Sequence, residues 1–472
     1  MNPFHRWRAL ALLCTANFMV ILDSQIVLVA LPSMERQLGL SPGEGQWILT
    51  ANLLTFGGLL LLGGRAADLL GRRRVFQVGT ALFLVVSLLS GLAVNGLMLV
   101  VVRAVHGVSA AMMAPAALSI LTTTFEEGAD RNRALAAWSG IGGIGATSGL
   151  LLGGVLTQSL GWQWVFFINV PVAALLLALS PALLPESYDR GRRESFDLAG
   201  AVTVTGSLVL LVYAIVQAPT AGWTAPLTIG LFVLSAVLLL LFVVIETRSA
   251  APLLPPAILR LPRLAGGNML MVILAMSAFG LSFLVAMYTQ QVLGYSPFQY
   301  GFSTSVMPVT AVVGAYVAQF AVTRTGTRPV GAVSMVLMGA GLLLLTQAPV
   351  GGVYARDLLP ALLLFGAGLG GATIAGSVAA LAGVAEHDSG LASGINAAAF
   401  QLGGALGIAL IATVVASTVT GPDPAALAGA FQSGFAACAV FAAAGLLVSL
   451  ALLGRRGATG TTGAEEAAPS LR

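Results

Sequence analysis

The chain has 472 residues, of which 57% are hydrophobic and only 8% charged, with a mean hydropathy of +0.94 and a formal net charge of +4. A soluble domain carries about 25% charged residues, so the composition excludes a soluble globular class and points to an integral membrane protein. All 22 basic residues are arginine. Without lysine there is no P-loop phosphate grip and no Schiff base, which argues against an ATP-binding pump or a Schiff-base enzyme.

Taken in order, fourteen apolar stretches are long enough to span a bilayer as helices. They cover roughly 9–31, 47–67, 75–95, 98–122, 134–157, 164–184, 198–218, 226–246, 264–288, 299–321, 329–348, 358–381, 391–416 and 433–453. A transmembrane barrel is rejected, because stretches such as Leu231–Ile245 are apolar on every face rather than alternating. The first stretch lacks a small-residue cleavage site, so it reads as a retained span.

Arginine placement sets the expected orientation. His5-Arg6-Trp7-Arg8, Arg65, Arg72–Arg74, Arg131, Arg133, Arg190, Arg192, Arg193, Arg248, Arg260, Arg263, Arg324, Arg328, Arg455 and Arg456 fall on one side, and only Arg36 and Arg356 on the other. Both termini are therefore expected in the cytoplasm, and the even number of spans agrees. Residues 1–186 form one block of six spans and 264–454 another. Between them, 187–263 holds two plainer spans flanked by linkers (Glu186–Phe196 and Ala251–Arg263), and 455–472 reads as a disordered tail. Transporters are often built from two such halves with the substrate site between them. Cys14 and Cys438 read as small packing residues rather than a disulfide.

Asp23 is the only acid of the stretch Leu22–Pro32, inside the first span. A carboxylate there costs roughly 2.5–3.5 kcal/mol on insertion scales, which marks it as a functional candidate. It lies roughly 12 Å deep from the end of that span, and Arg103, in the oppositely running fourth span, roughly 9 Å deep. The two can pair if their helices face each other. His106 is one turn further along the face of Arg103. It is either a proton relay, since histidine titrates near neutral pH, or a polar residue in a tight contact. His5 and His387 read as solvated loop residues.

The loop Gly64–Arg74 combines Gly64, Asp68, Gly71, Arg72 and Arg73, with Gly71 permitting a sharp turn. It is either a salt-bridged latch at the cytoplasmic face or an anchor for helix ends. Gly145, Gly149, Gly153 and Gly154 cluster in the fifth span, where small residues let helices approach closely. They make either a static seam or a sliding surface. Asn17, Gln25, Asn52, Met112, Tyr288, Gln291, Asn396 and Gln401 are expected to face a substrate cavity, near the apolar side chains of Phe18, Met19, Met113, Met287 and Phe400. Among enzyme signatures, no His-Glu-x-x-His, Cys/His cluster or Gly-x-Ser-x-Gly elbow is present. No enzyme, metal or cofactor is therefore expected.

These residues resemble a known family over about 9–453. Gly64, Asp68, Gly71, Arg72 and Arg73 match the Gly-x-Leu-Ala-Asp-Arg-x-Gly-Arg-Lys signature of the major facilitator superfamily. Arg103 and Gly107 match its fourth-helix arginine motif, and Gly145–Gly154 resembles the fifth-helix antiporter motif. Trp162–Pro171 is similar to its Trp-Arg-Trp-x-Phe-x-Ile-Asn-x-Pro run, and Tyr288–Pro297 to the end of its ninth helix. More narrowly, the chain resembles the fourteen-helix drug:proton antiporters of bacteria.

The resemblance implies an all-α membrane fold of two six-helix bundles plus two inserted helices. It implies efflux of small amphipathic compounds driven by protons, with Asp23 as coupling and cation-attracting acid, Arg103 tuning it, and the Gly64–Arg74 loop controlling the cytoplasmic gate. The chain departs from the family at Gln25 and Leu28, where Thr and Asn are usual, at His106 in place of Gln, and at Leu150 in place of a motif proline. The expected setting is the plasma membrane, as a monomer whose partners are substrate, protons and lipid, with no nucleic acid. A facilitator or symporter importing a specific metabolite is the alternative.

Overall fold

The computed structural model describes residues 3–126, 128–187, 197–249, 252–254, 258, 261–384, 388–421 and 423–454. The expected tail at 455–472, Arg190, Arg192, Arg193, Arg260 and His387 lie outside the described residues.

Among the described residues, 14 helices are long and apolar enough to cross a membrane. They are α1 (His5–Leu38), α2 (Gly43–Leu70), α3 (Arg72–Gly91), α4 (Gly96–Thr124), α5 (Ala129–Ser159), α6 (Trp164–Leu183) and α7 (Leu198–Ala221). There follow α8 (Pro226–Arg248), α9 (Pro262–Val292), α10 (Pro297–Thr325), α11 (Thr327–Leu345), α12 (Tyr354–Leu381), α13 (Ser389–Thr418) and α14 (Pro424–Leu452).

Two helices expected to be continuous are interrupted. α6 breaks at Ile168 and α10 at Ser305. Pro171 and Pro308 follow the breaks by three residues, and a proline removes a ladder donor and crowds the carbonyl four residues back. α5 has no such break, and with Leu150 in place of a proline it runs unbroken from Ala129 to Ser159.

In the first half, α2 packs on α4, α1 on α5, and α3 on α4 and α6; in the second, α9 packs on α13, and α12 on α10 and α11. The halves meet along two equivalent seams, α2 on α13 and α5 on α10. Each seam joins the second helix of one half to the fifth of the other. The inserted α7 and α8 pack on each other, locked by Ser207 and Ser235, whose hydroxyls each donate to the other residue's carbonyl (2.8 and 2.9 Å). α7 rests on α2 and α13. Cys14 and Cys438 are both buried and unpaired. His5 is not a loop residue: it sits on the first turn of α1, its Nε2 3.1 Å from the Ala182 carbonyl.

The fifth-span glycines divide between two neighbours. A Cβ on Gly149 would come within 2.7 Å of the Gln25 Cβ and 2.8 Å of the Leu22 carbonyl, and Gly145 and Gly153 touch α1 above and below it. Gly154 turns the other way, against Pro297 and Phe298 of the second half. The glycine stripe thus brings the α1 backbone around Asp23 against α5, an approach that any side chain would hold apart.

Candidate functional site

Asp23 sits at the centre of a buried polar cluster built from four helices. Arg103 Nη1 of α4 donates to its Oδ2 at 2.6 Å, and Asn169 Nδ2 of α6 donates to its Oδ1 at 3.1 Å. The Arg103 and Asp23 side chains are only 1% and 2% exposed. Desolvating two charges is costly, and it is offset because each charge is matched and both Asp23 oxygens accept hydrogen bonds. Arg103 Nε donates to the Ile48 carbonyl at 3.2 Å, and the guanidinium lies 5.9 Å from the Phe166 ring centre.

His106 completes the cluster. Its Nδ1 is 3.2 Å from Arg103 Nη1, 3.3 Å from Asn52 Nδ2 and 3.4 Å from Asp23 Oδ2. Two donors converge on that nitrogen, so the network assigns it the lone pair and puts the proton on Nε2. Nε2 itself is buried without a partner, and the ring packs on Phe83. In this arrangement His106 is a hydrogen-bond acceptor. Asn52 also donates to the Arg103 carbonyl at 3.5 Å.

Beside the cluster, between the halves, lies a cavity of about 130 Å³. The first half contributes Ser24, Gln25 and Leu28 from α1, Leu49, Asn52 and Leu53 from α2, and Arg103 from α4. The second contributes Ala278, Phe279 and Ser282 from α9, Met307, Leu369, Phe400 and Ile408. Phe279 and Phe400 meet edge to face, their ring centres 5.6 Å apart. Asp23 does not line this cavity; Arg103 stands between.

Of the eight polar or pliable residues expected at the cavity, Gln25 and Asn52 line it. The others lie elsewhere. Asn17 donates to the Trp138 carbonyl in the α1–α5 seam, Tyr288 to the Pro349 carbonyl, and Gln291 lies against Met287. Asn396 joins Ser377 and Asn268 inside the second half, Met112 packs on Gly79, and Gln401 packs on Gly57.

The Gly64–Arg74 stretch forms ion pairs of its own. Gly71 has φ +107°, and Asp68 pairs with Arg72 at 3.0 Å. Arg73 and Arg74 reach Glu186 beyond α6 (3.5 and 3.7 Å), and Arg73 also donates to the Pro181 and Leu184 carbonyls. Gly64 lies against Pro115 of α4. At the opposite ends of the helices the halves are fastened together: Gln290 donates to the Val29 carbonyl at 3.2 Å, and Gly301 abuts the Leu150 carbonyl.

Sequence reasoning missed Asn169 and Glu186 as partners. Asn169 carried one signal, an amide inside an otherwise apolar span. Glu186 looked like any linker acid. No group of three or more His, Cys, Asp or Glu side chains among the described residues is placed to hold a metal.

The family model described as Major Facilitator Superfamily matches residues 13–266 and 267–471. The chain is 39% identical over 457 residues to the puromycin resistance protein pur8 of Streptomyces alboniger, covering 95% of this chain and 90% of that one. It is 39% identical over 449 residues to the cephamycin export protein CmcT of Amycolatopsis lactamdurans, with 92% and 90% covered. Among solved structures, the nucleoside transporter NupG superposes with a TM-score of 0.67 over 94% of this chain and 98% of that one, at 13% identity, a likeness of fold.

Proposed function

This chain belongs to the Major Facilitator Superfamily, and from that premise we propose that it is a proton-coupled antiporter exporting small amphipathic compounds. It is a multi-pass membrane transporter and not an enzyme. The names of its puromycin-resistance and cephamycin-export relatives support outward transport of bioactive compounds. We place it in the plasma membrane as a monomer, and the arginine asymmetry between its two faces supports cytoplasmic termini.

The observation that carries the proton coupling is the buried Asp23–Arg103 pair at the cavity edge. A proton reaching Asp23 from outside neutralises it and frees the guanidinium. The pair no longer offsets its own burial, and the halves, 1–186 and 264–454, rock about the α2–α13 and α5–α10 seams. The proton leaves inward and the cargo outward. One elementary charge crossing 100 mV supplies about 2.3 kcal/mol, enough for roughly fiftyfold accumulation. The glycines of α5 let α1 slide as Asp23 changes partners. The pairs Asp68–Arg72 and Arg73–Glu186 hold the cytoplasmic ends of α2, α3 and α6 as one unit of the gate.

The test uses everted membrane vesicles with an imposed proton gradient. Compounds that are cargo release the gradient in wild type and not in Asp23→Asn. Equal release by the variant removes Asp23 from coupling. Movement of cargo without movement of protons leaves a facilitator.

A further inference from the structure

The two walls of the cavity differ in chemistry, and that difference bears on the cargo. The wall from the second half is apolar and aromatic, with Phe279, Phe400 and Met307 facing inward. Its one hydroxyl, Ser282, already donates to the Ala278 carbonyl of its own helix at 2.8 Å. The wall from the first half holds the polar groups. Ser24 is likewise spent on the Val20 carbonyl, and the Asn52 amide donates within the ion cluster. Gln25 is the lining residue with its whole amide free: its side chain makes no hydrogen bond to any other described residue. It also lies at the junction with a narrow apolar crevice of about 10 Å³ that reaches toward Leu150 and Tyr300. Gln25, Leu28, Ser282 and Met307 line both spaces.

No carboxylate lines either space. Asp23 is sealed behind Arg103 and covered by Arg103 and Asn169, so it offers nothing to a cation in the cavity. The charge nearest the cargo is the guanidinium, and it is neutralised from behind. A charge brought into such a space loses its water without gaining a counter-ion.

We propose that this cavity takes an uncharged amphiphile, with a planar aromatic end against Phe279 and Phe400 and a hydrogen-bonding group on the Gln25 amide. Cations are disfavoured, and anions bind well only once Asp23 has lost its charge. This deepens the export reading and rests on it. The same geometry supplies the competition that exchange requires. Neutralising Asp23 leaves Arg103 as an uncompensated cation at the cavity wall. That wall attracts water and anions and repels an apolar cargo. Proton and uncharged cargo therefore exclude each other, whereas an anion and a proton favour each other. The sign of coupling follows the charge of the cargo.

The experiment measures equilibrium binding of three fluorescent probes of one scaffold to the purified full chain in detergent. They are dansyl-glycinamide (uncharged), dansyl-glycine (anionic) and dansyl-ethylenediamine (cationic). In wild type the uncharged probe is expected to bind most tightly and the cation most weakly, each step being about tenfold or more. In Asp23→Asn the order of the first two reverses, the anion gaining and the uncharged probe losing. Gln25→Leu, outside the ion cluster, weakens the uncharged probe about three- to tenfold, the worth of one hydrogen bond. It keeps the test open if Asp23→Asn does not fold.

A cation bound most tightly by wild type overturns the proposal, and so does an unchanged order in a folded Asp23→Asn. Binding unaffected by both Gln25→Leu and the cavity-filling Phe400→Trp also overturns it. Because binding needs no gradient, its outcome is separate from the vesicle assay. Absent proton movement removes the antiport reading alone, and a probe order in wild type other than uncharged, anion, cation removes the cargo assignment alone.

Discussion

Each half of the molecule joins its first and fourth helices through a buried polar network, and the two networks are built differently. In the first half, α1, α4 and α6 share Asp23, Arg103, His106 and Asn169, with an ion pair at the centre. In the second half, α9, α12 and α13 share Asn268, Ser377 and Asn396: Asn396 Nδ2 donates to Asn268 Oδ1 at 3.0 Å, and Ser377 to Asn396 Oδ1 at 3.1 Å. The first network lies toward the arginine-poor ends of its helices, the second toward the arginine-rich ends. The first borders the cavity, and the second does not. Both cross-link helices. A neutral network is stable in one arrangement, whereas an ion pair has a second state available whenever a proton arrives. On the coupling proposed above, the contrast puts the switching element in one half and makes the other its frame.

The largest effect expected on that comparison comes from Arg103→Leu, which leaves the Asp23 carboxylate buried without its cation. Breaking a buried pair from one side costs about 3–5 kcal/mol. The purified variant should unfold well below wild type and move no protons in vesicles. Removing both charges, in Asp23→Asn with Arg103→Gln, should restore most of that stability and none of the proton movement. An Arg103→Leu protein as stable as wild type would mean the pair does not hold the first half together.

Asn169→Ala comes next. Losing a hydrogen bond to a charged group costs about 1.5–3 kcal/mol, read as a lower unfolding midpoint together with slower proton release. An unchanged protein would reduce Asn169 to packing. Gly149→Val tests the seam that seats Asp23. Overpacking costs about 1–3 kcal/mol, and because α1 is pushed from α5 beside Gln25, cargo transport should fall further than stability does. Transport retained at wild-type rate would show that the seam tolerates a wider spacing.

The helices were legible from composition because a bilayer demands long apolar runs, and few other structures produce them. Asp23 and Arg103 were legible as partners because a charge in such a run is costly, and helix direction puts the two at one depth. Asn169 was not, since a neutral amide costs less to bury and only the folded chain reveals which carboxylate it faces. The same limit explains the cavity. Tyr288, Asn396 and Gln401 are polar residues in spans, as Gln25 and Asn52 are. Helical rotation, set by glycine contacts such as Gly57 against Gln401, decides which of them reach the centre. The breaks in α6 and α10 lie three residues before Pro171 and Pro308, but proline also occurs inside continuous helices here, at Pro32 and Pro115, so the residue alone does not announce a break.

The smallest effect belongs to the neutral network and tests the comparison from its other side. Asn396→Ala removes bonds to Ser377 and Asn268, each worth about 0.5–1.5 kcal/mol net. It leaves no buried charge exposed to an apolar surrounding, so the unfolding midpoint should fall only modestly. Asn396 does not line the cavity, so proton release and the affinity for an uncharged probe should stay at wild-type values. If the folded variant instead lost proton release, the second half would have to take part in coupling through Asn268, whose Nδ2 is buried without a partner. The division into a switching half and a framing half would then give way to a pair of linked networks. Cargo affinity lost with proton release intact would place the amide cluster in the cargo's path toward the arginine-rich face.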